Sequence, residues 1–499
     1  MKYLNTILIV LMLALPACGG PAESKTAAEQ ALANLDKEWS ESYAKLKLER
    51  DGHVKSSAEA IKAKDAEIAA LKATIAQLTV KPGPAAQAGN VFYVAPNGND
   101  GNVGTQAKPF KTITAAIKVA KPGTTMWVAK GDYEEALPKF SGEPGKRIAV
   151  RAINPSTFVV NRDKDGRIVS TSGKATATLR GNESLLQAIG PDSKYVEFSG
   201  FTVEGYNSGY SPAECAVSPG VGSAVSNLWI KNNVGGGLGF SQSHGTIASD
   251  ILSEDQGLDG LQGAWTDGLQ LTRVYTTRNG KGHKLNAARA KKQPTWYWEV
   301  GSDGKQKAGT GIFAKNRDRE EAKFSQLDNA VFNECVFDGN YGGGDLWFDV
   351  INFGRTMNNT YVGVLKDEMS KGKLTLNNCT VRWFGVWDTE GVEINGGTYR
   401  DIILRLSAGT RSSTYYATGQ EFKGISLRNI AIKPDVVSYI GTQGDAFDDA
   451  KVAKDRNIVI QAKKYLGNPD GVVMQFRNTR IKSAAELENF GKSIGVVWK

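Results

Sequence analysis

Three stretches of the chain, 226–233 (SNLWIKNN), 249–256 (SDILSEDQ) and 272–279 (TRVYTTRN), decide how the rest is read. Each starts 23 residues after the one before, at Ser226, Ser249 and Thr272. The equal spacing matters more than the weak identity between the copies. An even interval with weak identity between copies is the mark of a solenoid, in which each repeat is one coil and buries its apolar face only against its neighbours. One coil of three short strands and their turns needs about this length of chain.

The interval extends in both directions. NECVFDGN starts at Asn333 and NNCTVRWF at Asn377, 44 residues apart, or two coils. VEFSGFTVEG near Val196 and ISLRNIAI near Ile425 extend the pattern. The composition agrees: 56 glycines in 499 residues without a Gly-X-Y period suit an array of tight turns and exclude collagen. Hydrophobic residues at 40% and charged ones at 23% give enough apolar chain to build a core. The net charge of +9 favours an acidic partner: charged polysaccharide, nucleic acid or anionic lipid.

The body opens with VFYVAPNGNDGNVGTQAKPFKTITAAIKVAKPGTTMWVAKGDYEE, beginning at Val91. Phe92 and Val94 alternate as in a strand, a Gly/Asn turn follows, and Ile113, Ala116, Ile117 and Ala120 form one apolar helical face before Met126 and Val128 begin the next strand. This opening resembles the entry of right-handed parallel β-helix proteins of the pectate-lyase-like superfamily, where a short helix covers the open apolar end of the stack. The expectation is an all-β, right-handed parallel β-helix over 91–499, with an N-terminal capping helix.

Upstream, residues 1–17 carry one Lys and the apolar run from Ile7 to Leu15, too short to span a bilayer and of signal-peptide length. The run ends in Leu15-Pro16-Ala17-Cys18-Gly19, which resembles the bacterial lipoprotein box, whose cysteine becomes the acylated first residue. Cys18 is thus the expected lipidation site, residues 18–25 a tether, and the mature protein an exported, membrane-anchored one. Gly19 after the cysteine resembles lipoproteins sent to an outer membrane. Cys215, Cys335 and Cys379 are an odd set without disulfide-framework spacing and read as small buried apolar residues.

Residues 26–80 turn to Ala, Lys, Glu and Leu. Leu32, Trp39, Leu46 and His53 recur every seven with Leu35 between, and after Gly52 the frame slips to Ile61, Ile68 and Ile75 with Leu71 and Leu78. That spacing predicts a coiled-coil stalk of roughly 80 Å, through which copies of the chain could associate; a single solvated helix is the plainer alternative. KPGPAAQAGN (81–90) reads as a linker.

Chemistry is sought in what the coil pattern leaves over. Thr272 and Asn333 are 61 residues apart, so a 23-residue coil leaves 38, expected as loop on one flank. The surplus joins His283, Lys284, Arg289, Lys291 and Lys292 to Trp296, Tyr297 and Trp298. Aromatic faces stack on sugar rings while Lys and Arg neutralise carboxylates, so an acidic glycan is the expected partner. Nucleic acid tolerates the same composition but is a poorer fit to an exported lipoprotein. The plain alternative is that these aromatics pin the loop to the solenoid.

NYGGGDLWFDVIN (340–352) resembles a coil with a GLWFD core in exported β-helix proteins that act on carbohydrate. Alternation places Asp345, Trp347 and Asp349 on one side of a strand and Leu346 and Phe348 on the other. Resemblance to the superfamily's lyases implies abstraction of the proton beside a uronate carboxylate, with that carboxylate neutralised by Ca²⁺ on Asp side chains or by Arg. Lys315, Arg317 and Arg319 would then supply base and cations, Asp259 and Asp267 would be metal ligands, and Trp347 a stacking platform. Asp259-Gly260 and Asp267-Gly268 are equally common turn sequences, and no dense Asp cluster followed by Lys is present, which puts the metal in doubt.

A hydrolase would need paired carboxylates; Asp345 and Asp349 lie about 13 Å apart along one strand, so partners would come from other coils, Asp388 and Glu390 being candidates on the same row. His244 and His283 each read as structural. Two classes therefore stand: a lyase or epimerase on a uronate-containing polysaccharide, with hydrolysis as a variant, and a non-catalytic glycan-binding adhesin.

Overall fold

A computed structural model of the chain describes residues 91–209, 211–280, 322–339, 345–349, 354–368, 370–387, 389–405, 411–415, 420–425, 428–443, 457–476, 479–494 and 497–498. The expected signal peptide, Cys18, tether, stalk and linker lie outside them. What is described is a parallel β-helix, with strands stacking coil on coil into three faces.

The first face runs from Val91–Val94 through Thr125–Val128, Ile148–Ala152 and Val196–Ser199 to Ala330–Asn333, Arg355–Asn358, Leu374–Asn377 and Glu390–Asn395. The second includes Ala177–Arg180, Phe201–Glu204 and Val336–Phe337. The third includes Leu238–Ser241, Leu261–Asp267, Ala322–Asp328 and Leu346–Asp349. Strands of eight residues such as Tyr361–Glu368, Thr380–Trp387 and Thr398–Arg405 bend around a corner and serve the second face with one half and the third with the other.

The register is the one the repeat demands. Ser226 pairs with Ser249 and Ser249 with Thr272, so the 23-residue interval is one coil. Thr272 pairs directly with Asn333, so a single coil step separates them and the surplus residues fall between Thr277 and Ala322 in the sequence. Between Asn333 and Asn377 the two coils are unequal: Asn333 pairs with Asn358 and Asn358 with Asn377, steps of 25 and 19 residues.

Polar ladders hold the corners. Nδ2 of Asn358 donates to Asn333 (2.8 Å), Asn377 to Asn358 (2.9 Å) and Asn395 to Asn377 (3.1 Å), so each amide satisfies the next. Asn359 and Asn378 beside this ladder take φ of 49° and 50°, a left-handed turn that asparagine tolerates better than most residues. Cys335 and Cys379 follow the ladder at equivalent places and are fully buried, as expected; burial pushes their thiols up to about 12 and about 11.

The interior is an apolar column in which Leu346, Phe348, Phe332, Leu365 and Phe384 are wholly enclosed. The helix Ile113–Val119 covers its N-terminal end with Ile113, Ala116 and Ile117, the face read from the sequence. Thr112 caps it, and Glu135 accepts from the N–H groups of Ile113 and Thr114. An unforeseen hairpin, Thr157–Arg162 with Ile168–Lys174, lies along the second face: Phe158 meets Tyr275 edge to face, Thr171 donates to Glu254, and the backbone N–H of Ile168 donates to Asp338.

Candidate functional site

The outer side of the third face carries what an extended polymer would meet. In Leu346–Asp349 the alternation holds: Leu346 and Phe348 are in the core and Trp347 is half-buried on the outside. One coil on, Lys366 stands opposite Trp347, its Nζ 5.5 Å from the ring centroid. The next coil presents Trp383 and Trp387, two residues either side of Gly385, with centroids 6.0 Å apart and rings at 75°. A Cβ on Gly385 would lie 2.5 Å from Trp383 Cη2, so the glycine makes the pair possible. Asp401 follows Trp383 in register, with Tyr439 beyond it. At about 4.8 Å per coil, Trp347 to Tyr439 is roughly 19 Å of aromatic and charged surface along the helix axis.

Where the second face turns into the third, the corner positions are Asp338, Gly363 and Arg382 in successive coils. Gly363 lacks a side chain where the Asp345 carboxylate packs in. Oδ2 of Asp345 and Oδ1 of Asp338 both lie 3.1 Å or closer to where its Cβ would be. Asp345 accepts from the N–H of Val364 (2.7 Å), and Asp338 from the N–H of Ile168 at the hairpin tip (3.0 Å), with Arg167 Nε 3.8 Å away. Burial holds the Asp338 carboxyl above the usual carboxylate range, against the pull of Arg167 and Arg382. Beside it Tyr361 is 3% exposed under Gly166 of the hairpin, and its hydroxyl has no hydrogen-bond partner among the described residues. Burial and then Asp338 raise its ionisation far above the ordinary phenol.

Several expectations change. Asp345 does not face outward with Trp347: it precedes the strand, is 5% exposed and turns into the corner to meet the backbone of the next coil. Asp259 is fully buried, with Oδ2 accepting from Gln262 at 2.5 Å, while Asp267 is exposed at the other end of Leu261–Asp267, accepting from Asn329. No three His, Cys, Asp or Glu side chains among the described residues gather as a metal would require. Asp259 and Asp267 thus stand at opposite ends of the 259–267 segment. Glu390 is not on the third face but on the first, ion-paired with Arg428 at 2.6 Å. His244 is structural, its Nδ1 accepting from the N–H of Asp267.

Asp349 ends its strand in register with Glu368, its side chain outside the described set. Lys315, Arg317, Arg319, His283, Lys284, Trp296 and Trp298, with Asp388, lie outside the described residues. Sequence reading missed Trp383, Trp387 and Lys366; the signal was Trp-x-Gly-x-Trp within 383–387, alternation broken by a glycine. It also missed Tyr361 and Asp338, which only the stacking brings together.

The body is thus a parallel β-helix with an aromatic third face and a buried acidic corner beside it. A family described as a protein of unknown function (DUF1565) matches residues 96–142, the N-terminal cap. Over 146 residues the chain is 33% identical to the "Uncharacterized protein YwoF" of Bacillus subtilis (strain 168), covering 29% of this chain and 28% of that relative's length. Among solved structures it is similar to the A-module of the mannuronan C-5 epimerase AlgE6 of Azotobacter vinelandii (TM-score 0.36, 13% identity, 72% of this chain and 91% of that one). It is also similar to the pectate lyase Pel9A (TM-score 0.34, 14% identity, 73% and 78%).

Proposed function

We propose that the protein is an exported, lipid-anchored, carbohydrate-active β-helix that takes a uronate-containing polysaccharide along its third face and acts on it as a lyase or epimerase. The observation that carries this reading is the Trp383–Trp387 pair held open over Gly385, next to Lys366 beside Trp347. Flat aromatic rings on a straight wall give stacking area to successive sugar rings, and the ammonium adds attraction for their carboxylates. The insertion 281–321 brings Lys315, Arg317 and Arg319 to the same molecule, cations of the kind that neutralise a uronate, with His283, Lys284, Trp296 and Trp298 as further glycan contacts.

The test is affinity electrophoresis of the full chain in gels containing polyuronates or a neutral glucan, alongside ultraviolet absorbance of the unsaturated product. Retardation by a polyuronate that Trp383→Ala and Trp387→Ala each weaken at least tenfold supports the reading. Equal mobility of wild type and variants in every gel would end it.

A further inference from the structure

Strand Thr398–Arg405 crosses the third face one coil beyond the tryptophan pair and sets Asp401, Ile403 and Arg405 on its outer side, with Ile402 and Leu404 in the core. In register with these three, the coil before supplies Trp383, Gly385 and Trp387, and the coil after supplies Tyr439 opposite Asp401 and Gly441 opposite Ile403. Tyr439 repeats what Trp383 does. Each aromatic stands two residues before a glycine and lies over it: Trp383 Cη2 is 2.5 Å from where a Cβ on Gly385 would be, and Tyr439 Cε1 is 3.0 Å from where one on Gly441 would be. Ile403 lies between the two glycines and is only 9% exposed, its Cδ1 2.8 Å from that same Gly441 position. Ring, Ile403 and ring therefore form one apolar strip along the helix axis, about 10 Å long over two coil steps.

The two margins of the strip differ in charge. On one, Asp401 Oδ2 accepts from Arg400 Nε at 2.8 Å, so the charges there cancel and Oδ1 is left to accept. On the other, Arg405 is exposed and has no hydrogen bond or ion pair among the described residues. Four residues of strand, about 13 Å, separate the two margins, room for one sugar ring with a hydrogen bond at either edge. Arg405 alone would be an ordinary surface charge. Its place abreast of Ile403, with an aromatic platform one coil to either side, makes it the edge of a sugar-sized plate.

We propose that Asp401, Ile403 and Arg405 form a uronate subsite in which the bound sugar covers Ile403, its carboxylate pairs with Arg405 and a hydroxyl donates to Asp401, while the sugars before and after it stack on Trp383 and Tyr439. The proposal rests on the polysaccharide reading above and goes beyond it by assigning the residue that tells a uronate from a neutral sugar. A guanidinium offers a carboxylate two parallel donors, a geometry stronger and more selective than a single exposed charge contact. A neutral sugar of the same shape keeps the stacking and loses this pair, so Arg405 sets selectivity and the rings set affinity. Turning the sugar round would place two carboxylates together at Asp401, so the charges also fix how the ring lies.

The probes are a polyuronate retained by the wild-type chain and the same polymer after chemical reduction of its carboxylates to primary alcohols, compared by affinity electrophoresis of the full chain. Arg405→Gln removes an exposed group without a partner and should melt as wild type does. Wild type should hold the acid polymer at least tenfold more tightly than the reduced one. Arg405→Gln should bring that ratio to within twofold of one while holding the reduced polymer as wild type does, and Tyr439→Ala should weaken both polymers alike. Lys433→Gln, an equal change of charge on the first face, should keep the wild-type ratio. Three results would overturn the assignment while leaving glycan binding intact: no preference in the wild type, a wild-type ratio in Arg405→Gln, or an equal loss in Lys433→Gln. Failure of the wild type to bind any polyuronate would instead remove the reading on which the assignment stands.

Discussion

Arg355 and Asp367 form an ion pair inside the solenoid, and removing one partner should be far worse than removing both. Their N–O distance is 2.8 Å and both side chains are fully shielded. Arg355 also donates to Ser370 Oγ (3.3 Å) and to the carbonyl of Gly372 (2.5 Å), and lies 5.1 Å from the Phe348 centroid. Asp367→Ala leaves a guanidinium in the core with two neutral acceptors, and uncompensated buried charges of this kind cost about 3–5 kcal/mol. Arg355→Met strands the carboxylate at a similar cost of roughly 3–5 kcal/mol. The pair itself is imperfect, since Arg355 Nε and Asp367 Oδ2 have no partner among the described residues. An apolar Arg355→Met/Asp367→Leu double variant should therefore approach wild-type stability, giving a coupling of at least about 3 kcal/mol in the cycle. Urea unfolding followed by far-ultraviolet dichroism reads all four proteins. Single variants within about 1 kcal/mol of wild type, or a double variant costing the sum of both singles, would refute the placement of these groups.

Other expectations follow from the same geometry. Gly385→Val puts side-chain atoms where Trp383 lies, so polyuronate retardation should fall at least tenfold; unchanged mobility would mean the aromatic pair does not touch glycan. The thiols of Cys335 and Cys379, pushed up to about 12 and about 11, should stay unmodified by Ellman's reagent at neutral pH in a Cys18→Ser chain and react only on unfolding; prompt modification would contradict their burial. Asp338 has its folded-state ionisation raised above the usual 3.8, so its contribution to stability is complete below that value and is lost as pH climbs through the raised one. Asp338→Asn should accordingly gain on wild type in urea midpoint as pH rises above 3.8, and a gap that narrows instead would reverse the sign of the shift. Asn377→Ala breaks two rungs of the corner ladder and should cost about 1–3 kcal/mol, read by the same unfolding assay.

The solenoid was legible because its physics is periodic. A strand that buries one side against an identical neighbour must repeat, and Ser226, Ser249 and Thr272 do so at one interval. The capping helix was legible because an open apolar end needs an amphipathic cover, and Ile113, Ala116 and Ile117 supply it. Trp347 was placed correctly by alternation, whereas Asp345 was not: alternation applies inside a strand, and Asp345 lies one residue before it. The corner was invisible for a different reason. Asp338, Asp345, Tyr361 and Arg382 are spread over 45 residues of chain, and unequal coils between Asn333 and Asn377 hide which of them share an edge. Arg167 reaches the corner on a hairpin that belongs to an earlier coil, a contact no local pattern encodes.

The most direct test of a sugar-binding third face uses the tryptophans as position markers. Indole N–H resonances of the isotopically labelled full chain, assigned by single Trp→Phe substitutions, are followed while an oligouronate is added. Signals of Trp347, Trp383 and Trp387 should move with one common saturation curve. Those of Trp229, whose indole donates to Glu254 on the second face, and Trp127, on the first, should stay fixed. Movement of Trp229 or Trp127 with the third-face signals unchanged would place the sugar elsewhere and contradict the account.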